Sequence, residues 1–279
     1  MSTFTPPTAE QIASFLDRHP PRPPSPWPRR VPLLILGAMV VVVLVVPGWP
    51  GLIIPWVGLA GLLAFSLGRQ RRHRQIEAGV QRVQELAQLE CHESVLDRAW
   101  RMLPRLVRHP ALYLRSVALL ADSLLRVRAF EAATTCYQRL LKQLPEQHPA
   151  AIQLRIHHAF AALGMDHLAD ADDALRKVRG QLDSYAGTSL EATYHLARLF
   201  QHVRTHHFAD ALETAPDMIA HLRPLGVEAG YGHGLLALCF RESDEAEEAR
   251  TWWHRATTLL PESALVQRFP ELEPVRSLS

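Results

Sequence analysis

From Leu120 to Pro145 the apolar positions fall into two helical stripes. Leu120, Ala121 and Leu124 share one helix face; Phe130 opens a second helix whose inner stripe is Ala133, Tyr137, Leu140 and Leu141; Pro145 stops it. The pattern returns three more times. Counted from Ala133, the equivalent small residues are Ala171, Ala211 and Ala249, at steps of 38, 40 and 38 residues. The last copy is the clearest, with Leu236, Ala237 and Phe240 on one helix, then Ala249, Trp253, Ala256 and Pro261 on the next. Packing explains the recurrence: a small residue lets two helices approach closely, and an aromatic four residues on fills the space one turn away. In the middle copies Ala171 is followed by Leu175 and Val178, and Ala211 by Ala215 and Met218, with no closing proline, so their registers are less sharply marked. A generic bundle of Ala-rich amphipathic helices that imitates a period is the alternative.

The order of an apolar residue, a small residue, an aromatic, Ala-x3-aromatic and a closing proline resembles the tetratricopeptide repeat family, whose unit is a stacked helix-turn-helix. The resemblance covers roughly residues 72 to 268, and the steps here exceed the 34-residue period of that family. It implies an α-solenoid that binds a partner.

Ahead of the repeats, Val31 to Gly68 contains no charged residue over 38 positions. Pro47-Gly48-Trp49-Pro50-Gly51 divides this run into two apolar halves, each near the lower limit of about 17 residues for crossing a hydrocarbon core. A two-span hairpin is expected. Arg22, Arg29 and Arg30 precede it, Arg69, Arg71, Arg72 and Arg74 follow, and the turn between carries no charge, which predicts both termini on the cytosolic face of the inner, cytoplasmic membrane. A re-entrant hairpin has the same sidedness. The expected fold is therefore all-α: an N-terminal transmembrane helical hairpin, then a tetratricopeptide-like α-solenoid. Its parts are a cytosolic, proline-rich segment over 1–30 with a short helix from Thr8 to Asp17, the transmembrane hairpin over 31–68, a linking or capping hairpin over 69–110, and about four repeats with a closing helix (Glu262 to Arg268) and a loose tail over 111–279.

Composition removes some function classes. With 48% hydrophobic residues and a formal net charge of +2, the chain is neither disordered nor strongly basic, and its basic residues are nearly all arginine, so nucleic acid is not expected as a partner. Cys91, Cys136 and Cys239 are far apart and form no CxxC, which fits reduced thiols acting as small buried hydrophobes.

Candidate chemistry is sparse. His195, His202 and His206 lie on one helical stripe, with only His202 and His206 close enough to chelate one ion and no Cys or carboxylate joining them; packing explains them without metal. Gly230-Tyr231-Gly232-His233-Gly234 looks like a phosphate loop, but no strand precedes it and no Lys-Ser/Thr follows, so it reads as a loose helix start. Asp166, Asp170, Asp172 and Asp173 read as a solvated helix start. No catalytic constellation, cofactor site or metal site is expected, although a His-rich, metal-dependent helical enzyme stands as the alternative function.

The function expected from these readings is a membrane-anchored scaffold mediating protein–protein interaction on the cytosolic membrane face, as in the assembly of a membrane complex. Two spans before such repeats are also similar in arrangement to membrane proteins of bacterial haem-synthesis operons. In the tetratricopeptide family the first helix of each hairpin lines a concave face. That resemblance implies a partner groove formed by Arg115, Asp122, Arg126, Arg204, Tyr231 and Arg241, with excess positive charge suited to an extended, acidic or C-terminal peptide.

Overall fold

The computed structural model describes residues 5–21 and 49–278, with the side chains of 49–60, 62 and 278 outside that description. Among the described residues the secondary structure is entirely helical. Helix α1 (Ala9–Arg18) opens with a reciprocal cap in which the Thr8 N–H donates to Gln11 Oε1 at 3.0 Å and the Gln11 N–H to Thr8 Oγ1 at 3.3 Å. Residues 22–48, which hold the rest of the proline-rich segment and the first expected span, lie outside the described residues. Of the expected turn, Trp49, Pro50 and Gly51 instead begin a helix, α2 (Trp49–Gln88), where Pro50 sits in the first turn and loses no intrahelical bond. This helix continues through residue 69 without a break, so the second apolar half and the linking hairpin share one rod about 60 Å long. Among the described residues no helix is long and apolar enough to cross a membrane; the half expected to span over 52–68 falls largely on residues described by backbone alone.

The remaining helices are α3 (His92–Leu106), α4 (Pro110–Arg126), α5 (Phe130–Leu141), α6 (Pro149–Gly164), α7 (Leu168–Arg179), α8 (Ser189–Arg204), α9 (Phe208–Glu213), α10 (Ala215–Leu222), α11 (Ala229–Glu242), α12 (Ala246–Leu259) and α13 (Glu262–Arg268). Two compact units result, one holding Phe15–Leu120 and the other Thr5–Ser14 with Ala121–Ser279.

One turn geometry joins the helices into hairpins. Glu90, Arg128, Asp166, His206 and Asp244 all sit in the left-handed region, with φ between 56° and 64°. The residue after each donates its N–H five residues back at 2.9 to 3.0 Å, to Leu86, Leu124, Ala162, His202 and Phe240, the bond that closes a Schellman motif. These turns recur at 38, 38, 40 and 38 residues, the spacing read from the alanines plus one earlier step. Five residues past each turn comes Val95, Ala133, Ala171, Ala211 or Ala249, every one fully buried. Four further on come Ala99, Tyr137, Leu175, Ala215 and Trp253, all buried as well. The middle registers are therefore as regular as the outer ones. The linking hairpin α2–α3 is built on the same turn, with Val95 in place of alanine.

In the larger unit the first helices of successive hairpins pack in series, α6 on α8 and α8 on α11, while each second helix packs against its own first. This is the arrangement of an α-solenoid. Its aromatic seam runs from Phe160 to Phe200 (6.2 Å between ring centroids) and on to Phe269 (4.7 Å), which meets Tyr231 edge-on at 5.7 Å. The expected loose tail is instead packed: Phe269, Leu272 and Val275 are buried, and Pro270–Leu278 winds as a 3-10 helix against α11 and α12. Three apolar side chains at a spacing of three suit the three residues per turn of that helix, which places them on one inward face.

The glycine pentad is no loose start either. It lies inside α11, and each glycine admits a different neighbour: a Cβ on Gly230 would come within 3.2 Å of the Ala256 carbonyl, on Gly232 within 2.2 Å of Leu222, and on Gly234 within 2.9 Å of Leu272. Cys136 and Cys239 are buried hydrophobes, as expected, and burial pushes the Cys239 thiol up to about 12, where it stays protonated. Cys91 departs from the expectation. It is exposed at the α2–α3 turn.

Candidate functional site

A cavity of about 340 Å³ opens in the larger unit, with Asp122, Arg126, His157, Glu228, Tyr231 and Arg268 among its lining residues. Its walls are the first helices α4, α6, α8 and α11, closed by the 3-10 turn Arg223–Glu228 and by the end of α13. Gly226 makes that turn possible, since its φ of 60° and ψ of −126° fall where only glycine is at ease.

Asp122 organises one side. It accepts the Tyr137 hydroxyl at 2.8 Å and the His157 Nδ1 at 2.8 Å. Burial pushes the Asp122 carboxyl up, but His157, through charge and hydrogen bond, together with Tyr137 and Arg126, outweighs it and holds the group below its ordinary value. The same contacts drive the Tyr137 hydroxyl far up, burial leading and Asp122 adding. Opposite, Arg126 pairs with Glu228 at 2.7 Å.

Arg268 completes the wall and has no such partner. Its guanidinium donates to the Leu125 carbonyl at 3.3 Å and lies 5.8 Å from the ring centroids of both Phe160 and Phe269. No carboxylate within salt-bridge distance of it is found among the described residues. Burial and the neighbouring Arg126 push it down to about 10, which leaves it charged at neutral pH. Arg126 is ion-paired with Glu228, and Asp122 is hydrogen-bonded to His157 and Tyr137, so Arg268 is the guanidinium of this cavity whose fork is not already closed on a carboxylate among the described residues.

The six residues expected to form the groove do not converge as a set. Asp122, Arg126 and Tyr231 meet in the cavity, and Tyr231, expected to project freely, is buried against Phe269. Arg115 lies in the other unit and donates to Gln84 beside a shallow hollow of about 520 Å³. Arg204 is tied to Asp166 and Glu271, whose hydrogen bonds raise its pKa against the lowering by burial. Arg241 pairs with its neighbour Glu242 at 2.9 Å. The expected surplus of positive charge is thus largely neutralised within the chain. A half-buried arginine from α13 takes its place, and nothing in the helix periodicity of α13 marked Arg268, because its position depends on where the C-terminal segment crosses the repeats.

The aspartate cluster is dispersed. Asp166 binds Arg204, Asp172 accepts from Gln201, and Asp173 pairs with Arg176 and Lys177. His202 and His206 do not form the pair their spacing allows: His206 is the left-handed turn residue, which takes it out of helical register, and it lies against Phe208. His195 belongs elsewhere, its ring stacked on His221 at 4.0 Å and its Nε2 3.8 Å from Glu191 Oε1. The carboxylate missing from the histidine stripe is therefore present one turn upstream.

No family model, curated protein or solved structure matches the chain. The tetratricopeptide resemblance thus stands on the repeated residues themselves.

Proposed function

We propose that the chain is a membrane-anchored, tetratricopeptide-like scaffold that holds an acidic peptide segment or a C-terminal carboxylate of a partner protein on the cytosolic face of the membrane. The observation carrying this reading is Arg268, a half-buried guanidinium with no carboxylate at salt-bridge distance among the described residues, which lines with Tyr231 a cavity bounded by the first helices of the repeats. A planar fork of N–H donors held between aromatic rings is suited to a carboxylate, and a desolvated wall strengthens the pairing. Glu228 is paired with Arg126, and the Asp122 carboxylate is held by hydrogen bonds from Tyr137 and His157, which leaves the Arg268 fork free to meet an acidic ligand. For the anchor, the support is the uncharged run before Arg69 and the exposed Leu63, Phe65 and Leu67 on α2, immediately ahead of Arg69, Arg71, Arg72 and Arg74.

Affinity capture from detergent-solubilised membranes tests the groove. Wild-type chain retains its partner in stoichiometric amount, whereas Arg268→Gln, with its helicity checked by circular dichroism, loses most of it; capture undiminished by Arg268→Gln rejects the groove. Single cysteines at positions 2 and 279, in a chain otherwise free of cysteine, test the anchor. Both resist a membrane-impermeant thiol reagent in intact cells if the termini are cytosolic, and ready labelling of either rejects that topology.

A further inference from the structure

We propose that Glu191, His195 and His221 form a binding site for one divalent transition-metal ion, with Zn2+ as the best-matched ion. They are the only group of three donor side chains that converges in this way among the described residues, their ligand atoms all lying within 4.8 Å of one another. Glu191 Oε1 stands 3.8 Å from His195 Nε2 and 3.8 Å from His221 Nδ1. In a tetrahedral site with bonds of about 2.0–2.1 Å, donor atoms lie roughly 3.4 Å apart, so a contraction of a few tenths of an ångström suffices.

The fold presets two of the three. Thr188 caps α8 and receives the Glu191 N–H, while Glu191 Oε2 accepts the Gly187 N–H at 2.7 Å. That bond fixes the carboxylate and leaves Oε1 turned toward the imidazoles, the role an outer partner has in metal sites. His195 follows one helical turn later on the same face. His221 comes from the last turn of α10, which packs on α8. The rings are stacked, with planes 22° apart, so their nitrogens lie side by side; His221 must rotate for both lone pairs to converge, and its 38% exposure leaves it room to do so.

Two imidazoles and one carboxylate suit Zn2+ rather than Mg2+ or Ca2+, which prefer all-oxygen shells, and the fourth position falls to water. Bound there, the ion ties α10 to α8. Since α10 leads directly into the Arg223–Glu228 turn, the ion braces one wall of the cavity. The inference does not depend on what the cavity binds.

The test is titration of untagged, metal-free, full-length chain in detergent with Zn2+ alone, followed by calorimetry, and with Co2+, followed by visible absorption. One Zn2+ binds per chain, the Co2+ spectrum takes the intense form of a four-coordinate ion, and Zn2+ raises the Tm. Loss of a direct ligand exceeds the roughly 10- to 100-fold penalty typical of outer partners, so Glu191→Gln, His195→Ala and His221→Ala each weaken binding by more than about 100-fold. Exposed His254→Ala leaves it unchanged. Failure to bind Zn2+ stoichiometrically, binding that survives all three substitutions, or a weak six-coordinate Co2+ spectrum overturns the proposal. The spectrum needs only the wild-type chain, so the outcome stands even if a variant misfolds.

Discussion

The hairpins α8–α10 and α11–α12 share a turn and a fully buried alanine (Ala211 and Ala249), yet their second helices differ. In the later one Trp253 fills the space a turn beyond the alanine, and α12 runs unbroken for 14 residues. In the earlier one that place holds Ala215, directly before Pro216, and the helix breaks into α9, of six residues, and α10, of eight. A small residue at the close-approach position sets the spacing of two helices, and a bulky one beside it fills the gap a turn further on. Pro216 has no N–H for the Leu212 carbonyl and its ring crowds that carbonyl, so the helix breaks there, and α10 brings Met218 and Leu222 inward instead. The next hairpin accommodates this with Gly232, whose missing side chain is the space Leu222 occupies.

The largest effect should come from removing that bulk. Trp253→Ala leaves a cavity in a regular, rigid hairpin and should cost about 3 to 5 kcal/mol, with Tyr137→Ala similar. Met218→Ala, in the broken helix that can close on the space, should cost about 2 kcal/mol, the low end for such a truncation. Urea denaturation at fixed detergent concentration measures both. A Trp253→Ala variant no less stable than Met218→Ala would remove the basis of the contrast.

The Gly232–Leu222 contact is the next test. Alanine in a helix interior is favoured over glycine by up to about 1 kcal/mol, whereas overpacking a full core costs about 1 to 3 kcal/mol. Leu222 is wholly buried and cannot swing aside, so the clash should win and Gly232→Ala should destabilise by about 1 kcal/mol. Gly180, at the end of α7, has nothing within 4 Å of an added Cβ, and Gly180→Ala should be neutral or slightly stabilising. Equal melting temperatures for the two variants would mean that Leu222 is not confined there.

This contrast also shows which features the amino-acid pattern reveals. Local periodicity exposes the hairpins because each depends on residues within one turn of one another, and the alanine steps of 38, 40 and 38 reappear in the left-handed turn residues. The capping helix at Glu262–Arg268 and the short helix near Thr8 are legible for the same reason, the second displaced by one residue. Long-range partnerships leave no such trace. Glu191 and His221 are thirty residues apart, Arg126 meets Glu228 across 102, and Arg268 reaches Leu125 across 143. Glu191 was readable in part, since a Thr-x-x-Glu cap and a Glu-x3-His spacing both lie on the sequence. The packed tail was missed because prolines at 270 and 274 suggest a loop, whereas both fit a 3-10 helix.

The smallest effect concerns pH, and it again separates the two hairpins. His195 and His233 sit at the same distance before their turns, but His195 faces Glu191, and His233 faces the edge of Trp252 at 5.4 Å with its Nδ1 buried and unpartnered. Burial, and then Arg255, lowers the His233 pKa, so the folded chain holds this imidazole neutral. The unfolded chain, with an ordinary value near 6.5, takes up a proton that the folded one refuses; stability therefore rises with pH through the window below about 6.5 and levels off above it. His158 and His202, also lowered chiefly by burial, act in the same direction. In melts across that window, His233→Leu should retain more of its neutral-pH Tm on acidification than wild type while keeping the part of the slope that comes from the other lowered histidines, His109 and His195 included. Replacing a buried, unpartnered nitrogen with an apolar group of similar size should leave the Tm at neutral pH equal or slightly higher. A slope unchanged from wild type would mean that the imidazole at position 233 already carries its proton in the folded chain.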